Sequence, residues 1–418
     1  MNRVLEILSL SLVISILFWI WRKDASVMRR FFWPAAIWKL VAGLLVGVVH
    51  YRYYMQSDTV YFFEKALQLN EVALQDFSVY LKWLVSAPDG NFLGVHRTLV
   101  FIKLLSIVTL ITGGNYYIAS IFFSLISFLA AWNLTLWISR LAPGMAAPAV
   151  FSLIFFPSCV FWSSGILKES VAMAGIYYLA SVSIKIWLRH RLTVLNILLS
   201  ISSVWIVWSL KYYYASVFIS IAGAVLIVRL STAKLPGLSF GREAVGFAGI
   251  VMVLLLAGGF FHPNLKPWKI PHIIYETREL LQAKSKQESI IQYHNLQPTW
   301  GSLFVHTPVA LVSGLFAPVV PRSSNFFQGL AAIENLILLV FTVFSLPLLR
   351  QLHQSPYRLW VVAILLYVSL LAVFLALSTP NVGTLVRYRI GFLPFYVVLV
   401  AQHPYIRQWI ERFFVYSR

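Results

Sequence analysis

A polytopic, all-α membrane protein is the fold class this chain predicts, and three observations predict it. Apolar residues make up 60% of the 418 and charged residues only 11%, with a mean hydropathy of +0.79. The apolar residues fall in runs of roughly 17–22, long enough to cross a hydrocarbon core about 30 Å thick. These runs are continuous rather than alternating. Only helices and closed barrels satisfy the backbone in lipid, so the spans are helices.

The first run, residues 4–21, lacks a small-residue cleavage signal and is followed by Arg22, Lys23, Arg29 and Arg30, so it reads as an uncleaved anchor. A formal net charge of +19 could suggest nucleic acid, but the Lys and Arg residues sit in short clusters between the apolar runs. That is the pattern of topology signalling and contact with anionic lipid. The clusters at 22–30, 185–191, 229–242, 350–358 and 407–418 are expected on the cytoplasmic side. Most of the 14 acidic residues gather instead in two loops, 51–97 and 262–302, which are expected on the outer side. One cysteine, Cys159, excludes an intrachain disulfide and a thiolate metal site.

Parity constrains the remaining elements. Between the outer loop 51–97 and the inner cluster 185–191 lie four apolar runs, 98–113, 116–138, 146–163 and 166–187, one more than the sidedness allows. Run 98–113 is short and carries Lys103, so it is expected at the interface or re-entrant. The same conflict between 262 and 350 falls on run 303–320, whose Pro308, Pro318 and Pro321 should break a helix. About eleven full spans then remain. No internal repeat, low-complexity tract or soluble domain is visible, so the chain reads as one integral membrane domain. Loop 51–97 reads as two short helices broken near Pro88-Asp89-Gly90. Loop 262–302 holds an amphipathic stretch, 273–293, with Ile274, Leu280, Leu281 and Ile290 among charges, expected on the membrane surface.

Four constellations could carry chemistry. The stretch 51–61 (YRYYMQSDTVY) leaves an apolar run and bears Gln56, Ser57, Asp58, Thr59 and Tyr61, with Glu64 beyond. A carboxylate beside lipid is costly and often marks a site, although Asp is also a preferred helix N-cap. The stretch 156–169 (FPSCVFWSSGILKE) has a proline that ends or kinks one span and a glycine that permits a turn. Lys168 and Glu169 then open the next helix. Glu169 could simply favour the helix dipole, or the pair could meet an anionic substrate. In the stretch 378–389 (STPNVGTLVRYR), Arg387 and Arg389 flank Tyr388 after Asn381 and a glycine turn. That arrangement suits a phosphate or snorkelling to headgroups. Lys211, before three tyrosines, reads as a further cation or as interfacial anchoring. His262, His272, His294 and His306 share one loop region without metal-ligand spacing, and phosphate-loop and dinucleotide fingerprints are absent.

The order of these pieces resembles the GT-C superfamily of polytopic glycosyltransferases, of the dolichyl-phosphate-mannose protein mannosyltransferase type. The resemblance rests on Asp58 within SDTVYFFEKAL in the first outer loop and on the turn Ile111-Thr112-Gly113-Gly114-Asn115. It continues through Arg140-Leu141-Ala142-Pro143-Gly144 and the proline- and serine-rich break 156–169 that ends in an acid. It covers residues 31–190, and beyond them only the general layout and the stretch 381–389, which is also similar to membrane polysaccharide polymerases. Asp58 stands between Ser57 and Thr59 where the family often shows paired acids, and Lys168 precedes Glu169 in place of an arginine.

The resemblance implies inverting sugar transfer from a polyprenyl-phosphate-linked donor to a glycan or lipid acceptor on the outer face of a bacterial inner membrane. Asp58 and Glu169 would be the catalytic carboxylates. Lys168, Lys211, Arg387 and Arg389 would hold the phosphate, with Tyr61, Glu64, Asn381 and Tyr388 against sugar or acceptor. No metal, cofactor or nucleic acid is expected. Two alternatives stay open. One is a polymerase or ligase of lipid-linked oligosaccharides using the same arginines. The other is a transporter or flippase of lipid-linked sugar, disfavoured because charges gather at one face and no repeat appears.

Overall fold

The structure, a computed structural model, describes residues 2–52, 57–86, 96–232, 240–320 and 326–415. Among them the chain is helical and holds no strand, with an isolated antiparallel bridge between Ile290 and Asn381. In chain order the helices are α1 (Asn2–Lys23), α2 (Phe32–Arg52), α3 (Asp58–Gln75), α4 (Phe77–Val85), α5 (His96–Ile111) and α6 (Tyr116–Leu141). There follow α7 (Ala146–Val150), α8 (Pro157–Trp162), α9 (Lys168–Trp187), α10 (Val194–Thr232), α11 (Phe240–Phe261) and α12 (Ile270–Ala283). The last are α13 (Trp300–Phe316), α14 (Phe326–Ser345), α15 (Arg358–Ser378), α16 (Val382–Tyr388), α17 (Leu393–Val400) and α18 (Pro404–Val415).

Eight helices among the described residues are long and apolar enough to cross a membrane, or nine if the pair 382–391 and 393–400, bent by 73°, is one span. The all-α class is therefore as expected, and the chain is an integral membrane protein. The expected number of full spans, about eleven, exceeds the long apolar helices because several runs take other forms. Run 146–163 is broken at Phe156, whose extended backbone separates a π-helical turn at Phe151–Phe155 from α8. The 39-residue α10 is interrupted at Lys211, whose φ of −145° and ψ of 65° are not helical. At 1.5 Å per residue its length of about 58 Å is roughly twice a hydrocarbon core.

Three expectations about loops need correction. Run 303–320 does not break at Pro308: α13 runs through that residue and stops at Phe316. One proline removes a single donor, and the helix tolerates it. The first long loop does form two helices, but their break is at Asp76, whose side chain caps α4 by accepting from the amides of Ser78 and Val79. A hydrogen bond from the Ser78 hydroxyl, with help from these amides, holds the Asp76 carboxyl below its ordinary pKa. Pro88-Asp89-Gly90 and Gln56 lie outside the described residues. The amphipathic stretch 273–293 is helical only to Ala283. Beyond it the Ile291 amide donates to Pro380 O at 2.9 Å, and that bond needs an extended chain.

The chain forms two units. The first comprises Met1–Trp137, Val160–Ser181 and Thr193–Lys211. Its packing outside the long spans is led by α3, whose Phe62, Phe63, Ala66 and Leu69 recur at helical spacing and meet Phe101, Ile102 and Leu105 of α5. Lys103 of α5 donates to the carbonyls of Leu84 and Ser86 at 3.2 and 2.7 Å, closing the C-terminal end of α4. At the corner between α1 and α2, buried Asp24 accepts from the Trp132 indole at 3.0 Å and the Ser26 amide at 2.8 Å.

The second unit comprises Ile138–Cys159, Val182–Leu192 and Tyr212–Arg418. Here α13 lies directly on α15: a Cβ on Gly314 would collide with the backbone of Ala372, so only glycine permits the approach. Ile274 of α12 and Leu303 of α13 pack with Ala376 and Leu377 of α15.

Candidate functional site

In the first unit the site begins where α3 leaves its N-terminus. Ser57 occupies the N-cap position, with its hydroxyl donating to His50 O at 3.3 Å and lying 3.1 Å from Thr59 Oγ1. Asp58 is the first residue of the helix and is exposed. It is therefore not the N-cap, the position at which an Asp side chain would be tied to the helix amides. Buried Thr59 behind it takes a hydrogen bond from Tyr116 at 3.1 Å. One turn further, Phe62 lies on the same side of α3 as Asp58. The Lys168 ammonium sits 4.5 Å from the centre of that ring and donates to Thr98 Oγ1 at 2.8 Å. Tyr61 and Glu64 are exposed on α3.

Lys168 is placed by the break that precedes it. Gly165 has φ +70°, and a Cβ there would come within 3.1 Å of Gly43 O, so the chain can turn at this point only with glycine. Serines satisfy buried backbone groups at and beside the break. The Gly165 amide donates to Ser124 Oγ at 2.9 Å, Ser120 to Gly43 O at 2.8 Å, and Ser170 to Gly165 O at 2.9 Å. Helix α9 then starts with Lys168 and Glu169. Glu169 is fully buried and accepts from the Lys211 ammonium at 2.8 Å. Lys211 thus belongs with a carboxylate at the break of α10. Lys39 of α2, also buried, donates to Val160 O at 3.3 Å and to the Ser163 hydroxyl.

No family model matches this chain, and no curated protein or solved structure matches it either. Its own residues carry the functional reading.

In the second unit the two arginines of 378–389 part company. Arg387, in the last turn of α16, is half-buried. Arg389 is fully buried, where its terminal nitrogens donate to Leu315 O at 2.8 Å and Asn335 Oδ1 at 2.9 Å. Its guanidinium lies in the field of Glu334, which accepts from the Ser158 amide at 3.0 Å. The terminal nitrogens of Arg389, expected at a phosphate, are thus committed to acceptors inside the second unit. Asn381 caps α16 by accepting from the Thr384 amide at 3.1 Å. The Tyr388 carbonyl takes the Tyr214 hydroxyl, and its own side chain is half-buried. The bridge from Ile290 to Asn381 puts the end of loop 262–302 beside the start of α16.

Sequence reasoning missed Lys39, Asp24 and Glu334. Lys39 and Glu334 had a usable signal, since each is a lone charge inside an apolar run, and such residues mark sites or structural networks. No group of three or more His, Cys, Asp or Glu among the described residues is arranged to hold a metal ion.

Proposed function

We propose that the chain is a membrane glycosyltransferase that moves a sugar from a polyprenyl-phosphate-linked donor to an acceptor hydroxyl on the outer side of the membrane. The observation that carries this reading is an exposed carboxylate and a half-buried cation that both stand at the first turns of α3. Asp58 opens α3, and one turn along Phe62 supports the Lys168 ammonium. Asp58 takes the proton of the acceptor hydroxyl. The acceptor oxygen then bonds to the anomeric carbon from the face opposite the phosphate, and the bond to the phosphate oxygen breaks with inversion. The departing polyprenyl phosphate carries away the electron pair, and Lys168 offsets its charge. Thr98 and the Phe62 ring hold the ammonium in place before the donor arrives, so little ordering is needed at the moment of reaction.

Turnover of Asp58→Asn with a polyprenyl-phosphate-sugar donor tests the reading. Asn keeps the size of the side chain and removes the basic oxygen. Turnover is expected to fall by about 10²–10⁴ with an unchanged unfolding midpoint. Near-normal turnover would remove Asp58 from the chemistry.

A further inference from the structure

We propose that a pocket in the second unit, between α12 and the segment 287–296, is a binding site for an uncharged saccharide. Its volume is about 350 Å³, within the range of small-molecule sites. The walls are set before any ligand arrives. Arg278 is buried, donates to Leu377 O at 3.4 Å and to Ile291 O, and stacks 4.7 Å from the centre of the Tyr293 ring. The Ile291 amide is tied to Pro380 O at 2.9 Å, and the neighbouring Ile290 bridges to Asn381. A ligand therefore meets a shaped surface and does not have to order a loop.

The lining selects the chemistry. Gln282, Gln287, Gln292 and Asn295 contribute carboxamides, each with two N–H donors and an acceptor oxygen. Glu279 adds acceptor oxygens, while Tyr275 and Tyr293 add ring surface. Sugar hydroxyls both donate and accept, which amides match, and the C–H faces of sugar rings suit tyrosine. An anion is the poorer match, because the Glu279 charge opposes it and the terminal nitrogens of Arg278 already donate to backbone carbonyls, while His294 adds one further ring to the lining. An apolar ligand fits poorly too, since Ile290 and Leu296 are the pocket's two aliphatic residues. The site stands apart from the transferase reading, because its test is binding alone.

The full chain is held in a polyoxyethylene detergent, which carries no sugar, and titrated with chitotetraose, cellotetraose and mannotetraose. Saturation-transfer NMR reads the binding, with tetragalacturonate and tetraglycine as the charged and peptide probes. At least one neutral tetrasaccharide is expected to bind more tightly than either control. Gln282→Ala and Gln292→Ala alter exposed side chains and should keep the unfolding midpoint, while each weakens binding about two- to tenfold. Asp58→Asn is expected to leave this binding unchanged even where it abolishes turnover, so the two readings fail separately. Absence of binding for all three tetrasaccharides, tighter binding of either control, or an unchanged dissociation constant in both glutamine variants would overturn the proposal.

Discussion

Glu169 in the first unit is fully buried and Glu334 in the second is half-buried, and the two carboxylates are balanced in different ways. Glu169 meets the Lys211 ammonium directly at 2.8 Å, with 0% and 7% of the two side chains exposed. Glu334 takes a backbone amide from Ser158 and feels Arg389 through a wider network, in which the arginine is held by Leu315 O and Asn335. A direct pair concentrates its electrostatic balance in one contact, so removing either partner strands the other. A distributed network divides that balance among neutral groups, and the loss of one bond is partial. The contrast also separates buried charges from charges open to a substrate. Glu169, Lys211 and Arg389 are buried, whereas Asp58 is exposed and Arg387 half-buried.

The largest expected effect follows from the direct pair. Glu169→Gln leaves the Lys211 charge buried without its carboxylate, and Lys211→Met does the converse. Each single change is expected to lower stability by about 3–5 kcal/mol. Combining them removes both charges and should restore most of the loss. Thermal unfolding in detergent of the two singles and the double checks this. A double variant no more stable than the worse single would mean that the contact is not the compensating one. Activity adds a second reading: a stable but inactive double variant would assign the Glu169–Lys211 pair a part in the chemistry beyond structure.

The distributed network predicts a smaller loss and sets apart two arginines only two positions apart. Arg389→Lys replaces a fork that reaches both Leu315 O and Asn335 with a single ammonium, so one charge-assisted bond is lost, worth about 1.5–3 kcal/mol. Arg387→Lys should leave stability unchanged and weaken binding of a polyprenyl-phosphate probe about tenfold to hundredfold. The comparison breaks if the two variants exchange these effects, or if Arg387→Lys binds the probe as well as the parent chain does.

This pair shows how far the sequence could be read. The sequence suggests Arg387 and Arg389 together at one phosphate, but residues two apart on a helix do not share a face, and only packing decides that Arg389 turns inward. The proline and glycine of 156–165 marked a break, and the structure has one there, because those residues act on the local backbone. A helix starting close to Thr59 was legible from its polar flanking residues, although Ser57 and not Asp58 holds the N-cap position. The partnership of Glu169 with Lys211 was not, since the residues are 42 positions apart and only packing brings them together. The break between the first two loop helices was assigned to Pro88-Asp89-Gly90, where turn residues are densest. Asp76 carries the same capping chemistry with less composition to advertise it.

Asp76 supplies the smallest effect and the one with a defined pH signature. Its carboxyl is held below its ordinary pKa first by the Ser78 hydroxyl and then by the amides that open α4. A depressed folded-state pKa means that the carboxylate form contributes to the folded state above the unfolded pKa. That contribution fades as pH falls through the lower folded value. The window therefore lies at and below about pH 4, the ordinary range for Asp. Acid should loosen the start of α4 well before it disturbs the apolar packing of α3 on α5, which contains no comparable group. Asp76→Asn keeps an N-cap of similar rank and cannot titrate, so it should leave α4 as ordered at neutral pH and remove the acid loosening. A nitroxide on α4, attached through Leu81→Cys at an exposed position, reports local order by its EPR line shape. Increased mobility below about pH 4 in the parent sequence, absent in the Asn variant, is the expected outcome. Equal loosening in both would move the acid sensitivity away from Asp76.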